Sequence, residues 1–391
     1  MDLRLNDRER AFQAEVRAWL QEHVPRAPTA PPFTPEAVAA LRTWERGLFD
    51  AGYAALHWPR EYGGGGAGFV LQSIFQEEYV RADAPPRLNR LGLGLIGPTI
   101  IDYGTPEQKQ RWLPGILRCD DLWCQGFSEP EAGSDLAAVR TRAERDGSDF
   151  VVNGQKLWTS LSAAADWMFA LVRTAGGERH RGLTYLLIPM NAAGIERRPI
   201  RMLHGESGFA EIFFTDVRVP DVNVLGEVGD GWRVAMATLT HERGTGLGQH
   251  VRFSRDVEDL VALARRAGVA EDPVVRDAVA SRFVETEVFR CWMQMTLTRL
   301  AAGDPPGPGA SLTKLFWSEM EARIFETAID TLGPLAELDG DAPGALTRGD
   351  FHRRYWHARA SRIFAGTSEI QRNVIAERLL GLPKEQAWTS S

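Results

Sequence analysis

The chain has 391 residues, 44% of them hydrophobic and 25% charged, with a formal net charge of −7. That length is ample for a large core and suggests two or three domains, in a composition ordinary for a globular protein. The acidic balance argues against nucleic-acid binding and leaves no basic membrane patch, so a phosphate-bearing substrate would need basic residues gathered locally.

No apolar run approaches the ~20 residues of a membrane-spanning helix. Met1-Asp2-Leu3-Arg4 holds no apolar signal core, so secretion is not expected. Cys119, Cys124 and Cys291 lack a Cys-x-x-Cys spacing and fit a reduced, cytoplasmic setting. Cys124 reads either as a nucleophile or as a small buried hydrophobe. The histidines show no His-Glu-x-x-His spacing, and no metal is expected.

Asn6-x-x-Glu9 is a capping pair that opens a first helix, with Phe12, Val16, Trp19 and Leu20 on one face until Pro25. A proline-rich connector over 26–35 leads to a second helix near Glu36–Ala51. The spacing predicts a third over Phe69 to Arg81, with Phe69, Ile74, Phe75 and Tyr79 inward and Glu77 and Glu78 outward. Thr105-Pro106-Glu107-Gln108 starts a short helix ending near Leu117. Two Gly-x-Gly-x-x-Gly matches occur, at Gly63, Gly65, Gly68 and at Gly92, Gly94, Gly97. Neither follows a strand, so the dinucleotide fingerprint has no physical basis, and both read as loops between helices.

Residues 121–230 are strand-rich. Asp146-Gly147 joins two alternating runs between Arg140 and Val152, the strongest short hairpin signal. Further runs lie at Trp167 to Arg173, Gly182 to Pro189, Ile195 to Met202 and Ala210 to Val219. Ahead of the hairpin, Ser128-Glu129-Pro130-Glu131-Ala132-Gly133-Ser134-Asp135 is a polar loop with closely spaced backbone N–H groups. After it comes Asn153-Gly154-Gln155-Lys156-Leu157-Trp158-Thr159-Ser160. Trp158 beside two hydroxyls suits a planar heterocycle, or is a core tryptophan beside an ordinary turn.

Helical periodicity returns at Trp232, Ala235, Met236, Leu239 and Glu242. A long helix follows from about Pro273 past Met295, a Pro/Gly linker over Gly303 to Gly309, and a helix over Ser311 to Thr331. Residues 333–349 form a loop, and two helical segments finish the chain. Ser368 with Gln371 reads as a capping box opening the last helix, with Ile370, Val374 and Ile375 inward. A helix N-terminus preceded by Gly366-Thr367 is a ready anion site.

Ser-Glu-Pro-x-Ala-Gly-Ser-Asp followed by Asn-Gly-x-Lys-x-Trp resembles the flavin-binding signature of the acyl-CoA dehydrogenase family. Ala365-Gly366-Thr367-Ser368-Glu369-Ile370-Gln371-Arg372-Asn373 resembles its second signature. The resemblance spans essentially the whole chain. It implies an α+β multidomain fold: an N-terminal helical domain (1–120), a middle β barrel (121–230) and a C-terminal four-helix bundle (231–391). It also implies FAD, an acyl-CoA substrate oxidised to the trans-2-enoyl thioester, and electron-transfer flavoprotein as acceptor. By the residue-wise match, Phe127, Ser128, Gly133, Ser134, Trp158, Ser160, Thr367 and Glu369 line the cofactor, and Ser134, Arg243 and Gly244 the substrate.

In such a reaction a carboxylate takes the α-proton while the β-hydrogen passes as hydride to the flavin. Many relatives carry the base directly before the Gly-Thr of the second signature. Here that position is Ala365, which accepts no proton. The resemblance to the branch with its base on the first helix after the β domain, which includes isovaleryl-CoA and actinobacterial sterol-chain dehydrogenases, points to Glu242. Spacing agrees: Glu242 follows Leu239 by three, Met236 by six and Trp232 by ten, on the apolar face. A carboxylate there is either paired with a neighbouring Arg or functional. Arg243 would support the site electrostatically, and His241 is read as neighbouring structure. Gly244, Gly246 and Gly248, read as helical, make room for a bulky acyl group or mark a kink with close packing.

The family's Arg-x-x-Phe-Gly and Gly-Gly-x-Gly segments are missing, with Arg265 to Asp272 and Thr331-Leu332-Gly333-Pro334 in their places. The adenine half of FAD is then held differently, or a non-identical partner completes the site. Homodimer, homotetramer and heterotetramer stay open. So do an FAD-poor partner subunit and a biosynthetic member that uses a carrier-protein thioester or oxygen.

Overall fold

The computed structural model describes residues 4–25, 34–177, 179–243, 247–304, 307–338, 340–347 and 349–384. In chain order the elements are α1 (Asp7–His23), α2 (Pro35–Asp50), α3 (Phe69–Arg81), α4 (Gly97–Tyr103) and α5 (Pro106–Leu117). Then come β1 (Trp123–Gly126), β2 (Arg142–Asp146), β3 (Asp149–Ser160), β4 (Trp167–Arg173), β5 (Leu183–Pro189), β6 (Ile195–Ile200) and β7 (Phe209–Pro220). The chain ends with α6 (Gly231–Arg243), α7 (Gln249–Arg266), α8 (Pro273–Ala301), α9 (Gly309–Leu332), α10 (Asp350–Ser361) and α11 (Ser368–Val374). The expected helical, β, helical order holds. The described residues fall into two compact units, one of residues 4–20, 69–82 and 247–384, the other of 21–68 and 83–243.

In the first unit α7, α8, α9 and α10 enclose Phe253, Leu260, Phe289, Met320, Ile324, Phe325 and Phe351. Local signals open several helices of the chain. Asn6 and Glu9 exchange side-chain and backbone bonds at 2.8 and 2.9 Å, as their spacing predicts. Asp272 caps α8 at the N–H of Val274.

Three expectations fail in this unit. Glu78 is not outward: it is buried, with Arg17 at 2.8 Å and Arg81 at 2.7 Å. A buried carboxylate is tolerated because both cations come to it. The cap of α11 is Thr367, whose Oγ1 accepts from Ile370 N–H, and not Ser368. Gly248 is not inside a helix: it opens α7 at φ +82°, and a Cβ there would stand 2.7 Å from Cβ of Gln76. A left-handed junction pressed against α3 admits only glycine.

The same unit buries a charged network. Asp256 meets Arg354 at 3.0 Å and Arg252 at 3.9 Å, and Glu321 pairs with Arg252 and accepts from the Ser361 hydroxyl. Burial pushes the Asp256 carboxyl up to about 6, against the pull of Arg252 and Arg354. The folded chain therefore holds this proton more tightly than the unfolded one, whose Asp titrates near ~3.9. Between about pH 4 and pH 6 the folded state binds more protons, so this group's contribution to stability falls as pH rises. Urea denaturation of wild type and Asp256→Asn at several pH values checks this. The wild type's stability relative to the variant should decline across that window, and parallel pH profiles would refute it.

In the second unit, the strands described form a seven-stranded curled sheet in the order β1-β4-β2-β3-β7-β6, with β5 paired to β4. The Asp146-Gly147 hairpin pairs β2 with β3 as expected, Gly147 taking φ 63°. One sheet face and the helices enclose Trp58, Leu93, Ile96, Trp112, Trp123, Phe169, Tyr185, Val234 and Ala235.

The second glycine motif is not a loop. Gly92–Ile96 is a π-turn running directly into α4. Leu91, Leu93, Leu95 and Ile96 are all buried there, and that burial outweighs the cost of Gly in a helix. No strand precedes either glycine motif among the described residues.

Candidate active site

β3 and β7 are antiparallel, but their register slips twice. Between Val152 and Gly154 the extra residue lies on β7. Asp216 takes φ 52°, and Asn153 clamps it, accepting from its N–H at 2.9 Å and donating to its carboxylate at 3.0 Å. Between Lys156 and Thr159 the extra residue lies on β3. Trp158 there has φ 58° and is 54% exposed. A bulge re-aims a side chain. Holding tryptophan left-handed costs about 1–2 kcal/mol, which burial of Lys156 and Thr159 on either side offsets. Phe209 meets the Trp158 ring edge-on at 6.0 Å. Ser160 is half-buried and paired with Phe209.

The polar loop is tied to this bulge, Leu157 N–H donating to the Ser128 carbonyl at 2.8 Å. Glu129 and Ala132 exchange bonds of 3.1 Å around Pro130-Glu131. Gly133 and Ser134 are exposed, and a Cβ at Gly133 would meet nothing within 4 Å. Beneath the loop, Lys156 Nζ donates to Glu129 at 2.7 Å and to the carbonyls of Phe127 and Leu171 at 3.1 and 2.7 Å. All three ammonium protons are used. Glu129 also accepts from the N–H groups of Arg140 at 2.6 Å and Thr141 at 3.0 Å. Burial pushes the Glu129 carboxyl up, but Lys156 and the Arg140 N–H outweigh it and hold it below the usual range. Burial lowers Lys156 to about 8, so both partners are ionised near neutrality. The motif's Glu and Lys are thus the fastening of the loop.

α6 buries Gly231, Val234, Ala235 and Thr238 on one face. Thr238 lies within 3.1 Å of the Tyr185 hydroxyl and 3.0 Å of the Thr99 hydroxyl, all three side chains being buried. The Tyr185 ring also packs edge-on against Phe127 at 5.9 Å. One tyrosine therefore touches the start of the polar loop on one side and α6 on the other. Position 242 follows Thr238 by four residues and Ala235 by seven, which continues the buried face. The side chains of Glu242 and Arg243, and Gly244 entirely, lie outside the described residues. His241 Nε2 stands 2.9 Å from Asp102 Oδ2.

In the other unit, Ala365 (φ 52°) and Gly366 (φ 86°) form a left-handed pair before α11. Gln371 Nε2 donates to the carbonyl of Ala365 at 2.8 Å. Ala365 is exposed and presents only a methyl group. Glu369 is exposed in the first turn, its carboxyl held below the usual range by its own N–H and the Thr367 hydroxyl.

Three segments match the descriptions "Acyl-CoA dehydrogenase, N-terminal domain" (residues 6–120), "middle domain" (124–217) and "C-terminal domain" (229–380). Over 386 residues the chain is 43% identical to "Acyl-CoA dehydrogenase IpdE1" of Mycobacterium tuberculosis, covering 96% of this chain and 98% of that one. The chain belongs to the acyl-CoA dehydrogenase family. A solved acyl-CoA dehydrogenase, the "Tcur3481-Tcur3483 steroid ACAD", superposes with TM-score 0.85 at 30% identity, covering 98% of this chain and 100% of that one. The ChsE4-ChsE5 complex from Mycobacterium tuberculosis gives 0.84 at 32% identity, with the same coverage of 98% and 100%.

For an acyl-CoA dehydrogenase, the residues singled out by sequence divide cleanly. Phe127, Ser128, Gly133, Ser134, Trp158 and Ser160 lie in the unit that carries α6, and the Ser128–Leu157 bond brings loop and bulge together. Thr367 and Glu369 lie in the other unit. The Phe127 ring is committed to the core. Sequence reasoning missed Tyr185, Thr238 and Thr99. Their only sequence signal is hydroxyls at otherwise apolar positions, and nothing local says that they meet.

Proposed function

We propose that this chain catalyses FAD-dependent α,β-dehydrogenation of a CoA thioester with a bulky, steroid-derived acyl group, Glu242 removing the α-proton. The single observation that carries the reading is the continuous connection from bulge to helix. Trp158 is tied through Leu157 to Ser128, Phe127 packs on Tyr185, and Tyr185 meets Thr238 one turn before position 242.

Residues on this path fit the cofactor the family uses. Trp158 offers an exposed flat ring, Gly133 and Ser134 an open polar edge, and Ser160 a neighbouring hydroxyl. FAD bound there supplies the acceptor for the β-hydrogen. The chain's own task is to hold the acyl thioester and take its α-proton. A carboxylate on the buried face of α6 is poorly hydrated, which raises its proton affinity toward that task. Ala365 leaves the alternative location without a base.

The steroid preference draws support from the Tcur3481-Tcur3483 neighbour, named as a steroid ACAD. Assembly with a second acyl-CoA dehydrogenase-like chain draws support from the ChsE4-ChsE5 complex and from α8, which leaves Val284, Val288 and Met295 exposed along one face. Electron-transfer flavoprotein is the proposed acceptor.

The test is flavin bleaching and dye-coupled turnover on two sets of thioesters: straight-chain acyl-CoAs, and CoA esters of steroid rings bearing a propionyl side chain. The cyclic set should give at least about tenfold higher kcat/KM, the order of discrimination that pocket shape supplies. Preference for straight chains would remove the substrate class, and flavin that no acyl-CoA bleaches would remove the reaction.

A further inference from the structure

A base carried on the last turn of a helix is only as well aimed as the helix beneath it. On α6, Thr238 is the last buried residue among those described, one turn before position 242. Below that point α6 is held at three levels, all within one unit.

At its start, Gly231 lies against the backbone of β5. A Cβ there would stand 2.4 Å from the carbonyl carbon of Thr184 and 2.6 Å from the nitrogen of Tyr185. Gly229 N–H also donates to the Thr184 hydroxyl at 2.9 Å. About two turns on, β5 meets α6 again, with the Tyr185 hydroxyl 3.1 Å from Thr238 Oγ1. The Thr238 hydroxyl donates back to the Val234 carbonyl at 3.0 Å, so toward Tyr185 it is the acceptor. Burial pushes the Tyr185 phenol above its ordinary range, which keeps it a donor. From α4, the Thr99 hydroxyl stands 3.0 Å from the same threonine oxygen.

The third level is the end of α4. Asp102 Oδ2 lies 2.9 Å from His241 Nε2, and the Arg233 guanidinium lies 4.8 Å from the centre of the Tyr103 ring. α4 therefore touches α6 at Thr238 and on either side of it, at 233 and 241. Sliding or rolling α6 breaks at least one of these contacts. The central ones are buried, where an unmade hydrogen bond is most costly. Apolar side chains would pack α6 equally well; buried hydroxyls that bond one another specify a single arrangement.

We infer that Tyr185 and Asp102 are positioning residues for proton abstraction: through Thr238 and His241 they fix the roll of α6, and so the backbone that carries Glu242. The inference rests on Glu242 being the base. Neither residue is assigned a contact with substrate; each acts through α6.

Tyr185→Phe removes one hydroxyl and keeps the ring's packing on Phe127 and Phe169. Asp102→Ala acts at an exposed position and leaves the core intact. The probe is a steroid-ring propionyl-CoA or a straight-chain acyl-CoA, whichever bleaches the wild-type flavin faster. Rapid mixing with the holoenzyme reads the chemical step, and calorimetry on holoenzyme carrying Glu242→Gln reads binding. Each variant should slow bleaching roughly 10- to 100-fold, the effect of about a 1 Å misplacement, and leave the Kd in place. In the Glu242→Gln background the same substitutions should leave the residual rate unchanged, because their effect runs through the group already removed. Thr238→Val should fall with Tyr185→Phe, and Thr238→Ser, which keeps the hydroxyl, should recover most of the rate. Wild-type bleaching in Tyr185→Phe and Asp102→Ala, an equal fall in both backgrounds, a loss confined to Kd, or Thr238→Ser as slow as Thr238→Val would each overturn the inference and leave the base reading standing. Glu242→Gln bleaching at the wild-type rate is a different result: it refutes the base reading, and the inference falls with it.

Discussion

Replacing Glu242 with Gln should lower kcat roughly 10²–10⁴-fold, the range that a positioned general base contributes, while acyl-CoA binding persists. Gln keeps the shape and removes only the capacity to take a proton. Two observations make the effect large. Position 242 follows Ala235 by seven residues and Thr238 by four, and both of those are fully buried; in the proposed reading a base on that side is poorly hydrated. The position before the Gly-Thr of the second signature, where many relatives carry the base, holds Ala365, whose methyl group offers no substitute. Rapid-mixing measurement of flavin bleaching separates the chemical step from binding. A variant that bleaches at the wild-type rate would place the base elsewhere.

Lys156→Met should destabilise the protein by about 3–5 kcal/mol, the cost of leaving a buried charge without its partner. Lys156 is fully buried and Glu129 nearly so, at 2.7 Å. Removing the ammonium strands the carboxylate and also leaves the carbonyls of Phe127 and Leu171 without their donor. Because Glu129 holds the N–H groups of Arg140 and Thr141, the polar loop should loosen and flavin affinity fall with stability. The double variant Glu129→Gln/Lys156→Met carries no buried charge and should recover much of the loss in chemical denaturation. If the single and double variants are equally unstable, the charge is not the cause, and packing of the lysine stem would have to be.

Much of the secondary structure was legible because its causes are local. α3 starts and stops at Phe69 and Arg81 as periodicity predicts, and Asp146-Gly147 turns β2 into β3. Thr105 and Gln108 cap α5 reciprocally, each bonding the other's backbone. The failures share a cause too. Glu78 reads as a solvent residue until Arg17, sixty-one positions away, is brought to it. The Gly92–Gly97 stretch reads as a turn because glycine suggests one, whereas its leucines are buried in the core it helps to form. α7 is absent from the expected helices because Gly244, Gly246 and Gly248 read as the interior of one helix, whereas Gly248 opens α7 in a left-handed conformation.

By itself the sequence determined the family, the helical, β, helical order, the absence of a base at Ala365 and the candidacy of Glu242. These follow from residue identity and from spacings within a few turns, which local periodicity and motif matching read directly. Only the tertiary structure decided that Trp158 is thrown outward by a bulge, that Lys156 and Glu129 are one buried pair, and that Tyr185 joins the polar loop to α6. Each of those depends on a contact between residues far apart in the chain, formed where burial raises the penalty for an unmade hydrogen bond, and no local pattern encodes which distant partner arrives.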